Sequence, residues 1–212
     1  MISDFLSGGS WISRTIDKHH TRWVGDTIRE IKPQTVLETG TGANSGYALA
    51  TCAALREVHG SDCLFMSYEI YKPAHKSACS LLKPFDPITE LHCGDMFGFF
   101  LDYAPNFIPD MCFLDAGDER LWSGDTIPGK QYDSGSYYEN GESENLAFFL
   151  RVQSERSAPG THVILDDFLA GRGSYIADYI LKNKDEFDAN WDALNIVKSR
   201  GSGASLFLCR RK

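Results

Sequence analysis

Five short apolar runs separated by helix-length segments constrain this chain most. The runs occupy residues 35–38, 64–69, 88–93, 111–115 and 162–166. Between and after them, residues 47–58, 73–82, 97–103, 144–156 and 174–187 carry helical patterning. Strands that alternate with helices pair in parallel, and the helices then cover both faces of the sheet. Strands covered on both faces read as continuous apolar runs, and Met111-Cys112-Phe113-Leu114 is one. The end of the chain breaks the rhythm. Residues 193–198 and 205–209 form two strands joined by Arg200-Gly201-Ser202-Gly203, too short for a crossover helix, so this pair is antiparallel. The expected fold is α/β: a doubly wound, Rossmann-like sheet of seven strands in a three-layer sandwich, with a terminal antiparallel hairpin at one edge.

Length and charge narrow the class. The chain of 212 residues fits a single domain, 1–212. Residues 11–31 read as a helix, with Ile12, Ile16, Trp23, Val24, Ile28 and Ile31 as its apolar positions, so residues 1–33 form an N-terminal helical cover. The 21 basic and 29 acidic residues give a net charge of −8, which argues against a nucleic-acid partner. No apolar run approaches the ~20 residues of a membrane span. The first residues, Met1-Ile2-Ser3-Asp4-Phe5, lack the basic and apolar regions of a signal peptide. A cytoplasmic location is expected. None of the six cysteines form a C-x-x-C pair, and buried, reduced thiols are the expectation for them.

One stretch has little periodicity. Residues 116–143 hold five glycines together with Trp122, Tyr132, Tyr137 and Tyr138. A loop this long inside a compact domain is usually functional, so a substrate lid is expected. Its aromatics either stack on a substrate or pack the insertion onto the domain.

The chemistry concentrates at strand ends. Val36-Leu37-Glu38-Thr39-Gly40-Thr41-Gly42-Ala43-Asn44-Ser45-Gly46 delivers an acidic residue, a glycine turn and a helix start. Glycine lets backbone approach a ligand closely, and a helix start offers free N–H groups. A carboxylate at Glu38 repels a pyrophosphate and suits a cofactor with a cationic amino group. Glu69 ends the second run, where a carboxylate can bind both hydroxyls of a ribose. Gly94-Asp95-Met96 ends the third. There Asp95 could accept from an adenine amino group while Met96 packs on the ring.

With these three motifs in order, the chain resembles the class I S-adenosylmethionine-dependent methyltransferases over residues 35–209. The resemblance implies a seven-stranded sheet with a final antiparallel hairpin. It implies that Glu38, Gly40 and Gly42, in a loop that includes Thr41 and Ser45, hold the methionine part of S-adenosylmethionine. Glu69 would bind the ribose, and Gly94, Asp95 and Met96 the adenine. The glycine loop is about two residues longer than in many small O-methyltransferases.

Within that family the chain is most similar to the small O-methyltransferases of the catechol and caffeoyl-CoA type, through Phe113-Leu114-Asp115 and Ile164-Leu165-Asp166-Asp167. That likeness implies methyl transfer to an oxygen of a small molecule. Asp115, Asp166 and Asp167 would hold Mg²⁺, which prefers oxygen ligands and lowers the pKa of a coordinated hydroxyl. Asp115 would also lie near the reacting centre or help to hold the cofactor. Two residues depart from the pattern. Asp167 replaces the usual Asn, and Asp118 stands where the metal-dependent enzymes carry a Lys base. A metal-assisted reaction and a metal-independent O- or N-methyltransferase both remain open, with Asp118 and His20 as base candidates. A protein that binds S-adenosylmethionine without catalysis is a further alternative. A nicotinamide-dependent oxidoreductase is disfavoured by Glu38 and by the terminal hairpin. Monomer and homodimer both remain open.

Overall fold

The computed structural model describes residues 10–12, 16–41, 46–115, 136–166, 175–199 and 205–212. The element order is β1 (Ser10–Ile12), α1 (Ile16–Ile31), β2 (Thr35–Thr39), α2 (Gly46–His59), β3 (Leu64–Glu69), α3 (Lys72–Leu82), β4 (Thr89–Cys93), α4 (Phe99–Asp102), β5 (Met111–Leu114), α5 (Ser136–Glu155), β6 (His162–Leu165), α6 (Tyr175–Lys182), α7 (Lys184–Asn190), β7 (Trp191–Ser199) and β8 (Ser205–Arg211). Two 3-10 turns, Lys83–Ile88 and Met96–Gly98, lead into β4 and α4.

The strands form one sheet in the order β1-β7-β8-β6-β5-β2-β3-β4. β2 to β6 pair in parallel, whereas β8 runs antiparallel to both β6 and β7. The seven expected strands and the terminal hairpin are thus present. An eighth strand is added by the N-terminal segment: Ser10, Trp11 and Ile12 pair in parallel with Val197, Lys198 and Ser199. The expected helix of residues 11–31 begins only at Ile16. The free edge of β7 offers unpaired backbone groups that a short segment can complete, and helical periodicity carries no sign of that partner.

Alternate residues of each strand serve opposite faces. Val36, Phe65, Met111, Phe113, Ile164, Leu206 and Leu208 pack with Val24 and Ile28 of α1 and with Ala48, Cys52 and Leu55 of α2. Leu37, Met66, Tyr68, Cys112, Leu114, Val163 and Phe207 pack with Phe99, Phe148, Phe149, Val152, Ile180 and Phe187 on the other side. The sheet is therefore the middle of three layers.

Three further boundaries differ from expectation. α5 begins at Ser136, so the last eight residues of the supposed lid are helical. Gly135 and Gly141 mask that helix in the sequence, although Glu139, Glu142 and Glu144 favour its N-terminal half. The expected helix of residues 174–187 is two, broken at Asn183, whose side-chain amide donates to Tyr179 O at 2.9 Å. The expected helix of residues 97–103 is a 3-10 turn followed by the short α4.

Two polar clamps hold the layers in register. Asp110 Oδ2 accepts from the N–H groups of Gln34 and Thr35 at 2.9 and 2.8 Å and from Thr35 Oγ1 at 3.0 Å. These bonds fix the start of β2 against the start of β5. Arg156, 2% exposed, donates to the carbonyls of Phe100, Tyr103, Ala104 and Phe107. The residues that follow α4 thereby have their buried carbonyls satisfied. Of the cysteines, Cys52, Cys112 and Cys209 are buried as expected, whereas Cys63 and Cys79 are half-buried and Cys93 is exposed. All six are free thiols.

Candidate functional site

The chain winds outward from β2 through β3 to β4, then returns and winds the other way through β5 and β6. The strand order therefore reverses between β2 and β5. In open α/β sheets, ligands bind in the crevice outside the carboxyl ends of the strands at such a point. Thr39 ends β2 there and Asp115 follows β5. The Asp115 N–H donates to both Thr39 O and Thr39 Oγ1, at 3.1 and 3.2 Å.

Glu38 is the penultimate residue of β2, and its side chain is completely buried. Its partner across the parallel ladder is Ser67 of β3. Ser67 Oγ donates to Glu38 Oε2 at 3.3 Å, and among the described residues Oε1 has no hydrogen-bond partner. Burial pushes the Glu38 carboxyl up to about 8; the Ser67 hydrogen bond opposes that rise, and the nearby charge of Glu69 adds to it. An unsatisfied buried carboxyl oxygen is costly unless a ligand completes it.

The backbone turns immediately after this carboxyl. Gly40 has φ of 77° and donates its N–H to Tyr68 O at 2.9 Å. An L side chain is disfavoured there, which accounts for the first glycine of the loop. Thr41 is buried, and its hydroxyl pairs with the Ser67 hydroxyl. Gly42 and Ser45 lie outside the described residues. Gly46 opens α2, and a Cβ built on it would stand 3.0 Å from Thr21 Oγ1, so this glycine admits the close approach of α1.

Glu69 closes β3 with its side chain buried, and its Oε1 accepts from the Tyr71 N–H at 2.6 Å. The neighbouring strand end is tied to it, because Gly94 N–H donates to Glu69 O at 3.0 Å. Asp95 is exposed and its Oδ1 accepts from Phe97 N–H at 2.8 Å, capping the 3-10 turn. Met96 is buried in the core cluster. Beside Asp95 lies a cavity of about 450 Å³ lined by Tyr68, His92, Gly98, Asp102 and Arg151 among others. The Tyr68 and His92 rings stack there at 4.5 Å, and Tyr68 donates its hydroxyl proton to Asp102 at 2.8 Å.

The predicted metal set is only partly visible. Leu114 of β5 pairs with Leu165 of β6, so Asp115 and Asp166 follow adjacent strand ends, where neighbouring chains run about 4.8 Å apart. Both are half-buried. Asp167 and the base candidate Asp118 lie outside the described residues, as do Trp122 and Tyr132. Among the described residues no three His, Cys, Asp or Glu side chains form a group able to hold a metal. His20 is buried on α1, with Nδ1 3.4 Å from the Tyr47 hydroxyl. Tyr47 follows Gly46 and meets Phe113 edge-on at 5.0 Å, so His20 lies against a residue in the first turn of α2.

Sequence reasoning missed two residues here. Ser67 was hidden inside a strand, although it stands two residues before Glu69 and shares its face. Ile70, 44% exposed, places an apolar surface directly after the Glu69 carboxylate. An apolar residue just past an acidic strand end was the available signal.

This topology is the fold of class I methyltransferases. Solved structures similar to the chain include a provisionally named O-methyltransferase from Klebsiella pneumoniae, 13% identical with a TM-score of 0.64 over 92% of this chain and 80% of that one. Another is the O-methyltransferase TomG from Streptomyces achromogenes, involved in tomaymycin synthesis and solved with SAM, at 15% identity and a TM-score of 0.59 over 92% and 80%. A third is the Bacillus cereus O-methyltransferase solved with SAH, at 14% and 0.59 over 91% and 80%. No protein-family model and no curated protein matches the sequence. Among the described residues no helix is long and apolar enough to cross a membrane.

Proposed function

We propose that the chain is an S-adenosylmethionine-dependent methyltransferase acting on an oxygen of a small molecule. The observation that carries this reading is the buried Glu38 carboxyl, whose second oxygen lacks a partner among the described residues, beside the Gly40 turn at the switch point of the sheet. A cationic amino group suits that oxygen. The fold and the solved methyltransferases that share it, two of them holding SAM or SAH, support the same cofactor.

When bound, the cofactor supplies a methyl group already activated on a sulfonium, so little side-chain chemistry is required for transfer. The chain's task is to bind, to orient and to exclude water. Glu38 would receive the amino group. Glu69, held by the Tyr71 N–H, is placed to accept from ribose hydroxyls, with Ile70 as an apolar wall beside it. Asp95 retains Oδ2 for the adenine amino group while Oδ1 caps the turn. Asp115, one residue beyond β5 and hydrogen-bonded to Thr39 through its backbone, is the side chain we assign to the reacting centre. Asp115 and Asp166 are hard oxygen donors at adjacent strand ends, and together with Asp167 they would hold a divalent cation such as Mg²⁺, which would in turn hold a substrate hydroxyl. Asp118 and His20 remain the candidates for taking its proton. We further propose a single domain with residues 1–33 as its cover and the segment after Asp115 as the substrate-selecting lid.

Calorimetric titration with S-adenosylmethionine, with and without Mg²⁺ after EDTA treatment, tests the cofactor and the metal separately. Binding at micromolar Kd or tighter is expected. Glu69→Ala should weaken it roughly tenfold or more, since charge-assisted hydrogen bonds contribute ~1.5–3 kcal/mol. Asp115→Ala should abolish S-adenosylhomocysteine formation over a panel of hydroxylated acceptors while the thermal transition persists. Full activity in that variant would remove Asp115 from the centre.

A further inference from the structure

Ser67 is 1% exposed and faces Glu38 across the ladder. A serine hydroxyl has one proton to give, and it goes to Glu38 Oε2. With Glu38 ionised, the Ser67 oxygen is therefore the acceptor in its pairing with Thr41, and the bonds run from Thr41 to Ser67 to Glu38. This direction distinguishes the two carboxyl oxygens. Oε2 meets Ser67 in either charge state, and Oε1 is the oxygen without a partner among the described residues.

We propose that Ser67 and Thr41 are positioning residues for Glu38: their hydroxyl chain occupies one carboxyl oxygen and reserves the other for the ammonium group of the cofactor, whose binding expels a proton from the site. The inference rests on the cofactor reading above. The balance is simple. The ammonium keeps its three protons, the Glu38 O–H bond breaks, and that proton passes to solvent. What remains is a carboxylate–ammonium pair.

The surroundings favour this exchange over permanent ionisation. From β3 the titratable neighbour is Glu69, an acid that opposes a second negative charge. From α2 it is Cys52, whose thiol burial and Glu38 itself keep neutral. From β5, Phe113 stands in register and carries no charge. From α1, His20 is held by the Tyr47 hydroxyl. Burial accordingly holds the free carboxyl near 8, protonated at neutral pH.

The test is calorimetry with two ligands at pH 7, each in phosphate and in Tris, whose heats of ionisation differ. S-adenosylhomocysteine carries the amino-acid moiety and 5′-methylthioadenosine lacks it. For the wild type we expect close to one proton released with the first ligand and none with the second. Glu38→Gln should release none. Ser67→Ala and Thr41→Val should lose about tenfold in affinity for S-adenosylhomocysteine and nothing for methylthioadenosine, and should move the pH midpoint of S-adenosylhomocysteine binding upward. Thr41→Ser should restore both. Equal losses for the two ligands would show a merely structural role and overturn the inference. So would binding without proton release, or release that persists in Glu38→Gln, while the cofactor reading would stand. Failure of the wild type to bind either ligand would overturn both.

Discussion

Glu38 is stable in this fold only at a cost. Its folded pKa near 8 lies above its ordinary 4.5, so between those values the folded chain holds a proton that the unfolded chain has lost. Stability from this group is complete below about pH 4.5 and falls as pH rises to about 8. The cofactor-free protein should therefore lose Tm across that window, and Glu38→Gln should lose less, emerging the more stable of the two at pH 8. A parallel decline in both would place the titrating group elsewhere. Arg156 presents the opposite case, a buried charge that is fully used. Its forked donors reach four carbonyls that no single ammonium could span. Arg156→Ala should destabilise by about 3 kcal/mol in urea unfolding, and Arg156→Lys should recover little of it. The role of Arg156 was not legible in the sequence, and neither was the burial of Glu38. Glu38 was read as a cofactor residue from its loop, but its buried partner Ser67 is 29 positions away. Arg156 was read only as the last residue of a helix.

At the scale of elements, the strand ends matter more than the helices between them. Asp95 has two tasks in this reading: its Oδ1 caps the turn at Met96–Gly98, and Oδ2 is assigned to the ligand. Asp95→Ser should keep the cap and leave Tm nearly unchanged, yet weaken S-adenosylhomocysteine binding several-fold, whereas Asp95→Ala should also lose about 1 kcal/mol of stability. A serine variant with full affinity would leave Asp95 as a cap alone. The strands were legible because each is a continuous apolar run bounded by turns. The ends of the helices were less so. Gly141 lies within α5, and Asn183 divides α6 from α7, choices that depend on what each segment packs against. β1 has only three residues and takes its conformation from the edge of β7.

For the whole molecule, the decisive feature is the reversal of strand order between β2 and β5. It brings the ends of β2 and β5 together, so that Thr39 and Asp115, 76 positions apart, are hydrogen-bonded. The same register carries Asp166 beside Asp115 on the next strand. If these carboxylates hold a divalent cation, millimolar Mg²⁺ should raise Tm, most of all with S-adenosylhomocysteine present, since a ligand that binds only the folded state stabilises it. Asp115→Asn and Asp166→Asn should each abolish that increment. An increment that survives in both variants would place the cation elsewhere, and its absence in the wild type would favour the metal-independent reaction.

The sequence by itself determined the layered α/β class, the antiparallel terminal hairpin and the acidic and glycine residues at strand ends. These are local properties: hydrophobic period, loop length and backbone preference are each written within a few consecutive residues. Only the tertiary structure decided which strands are neighbours and in what register. Parallel pairing joins residues that no local pattern relates, and the buried hydroxyl chain from Thr41 through Ser67 to Glu38 exists solely because β2 and β3 align residue for residue.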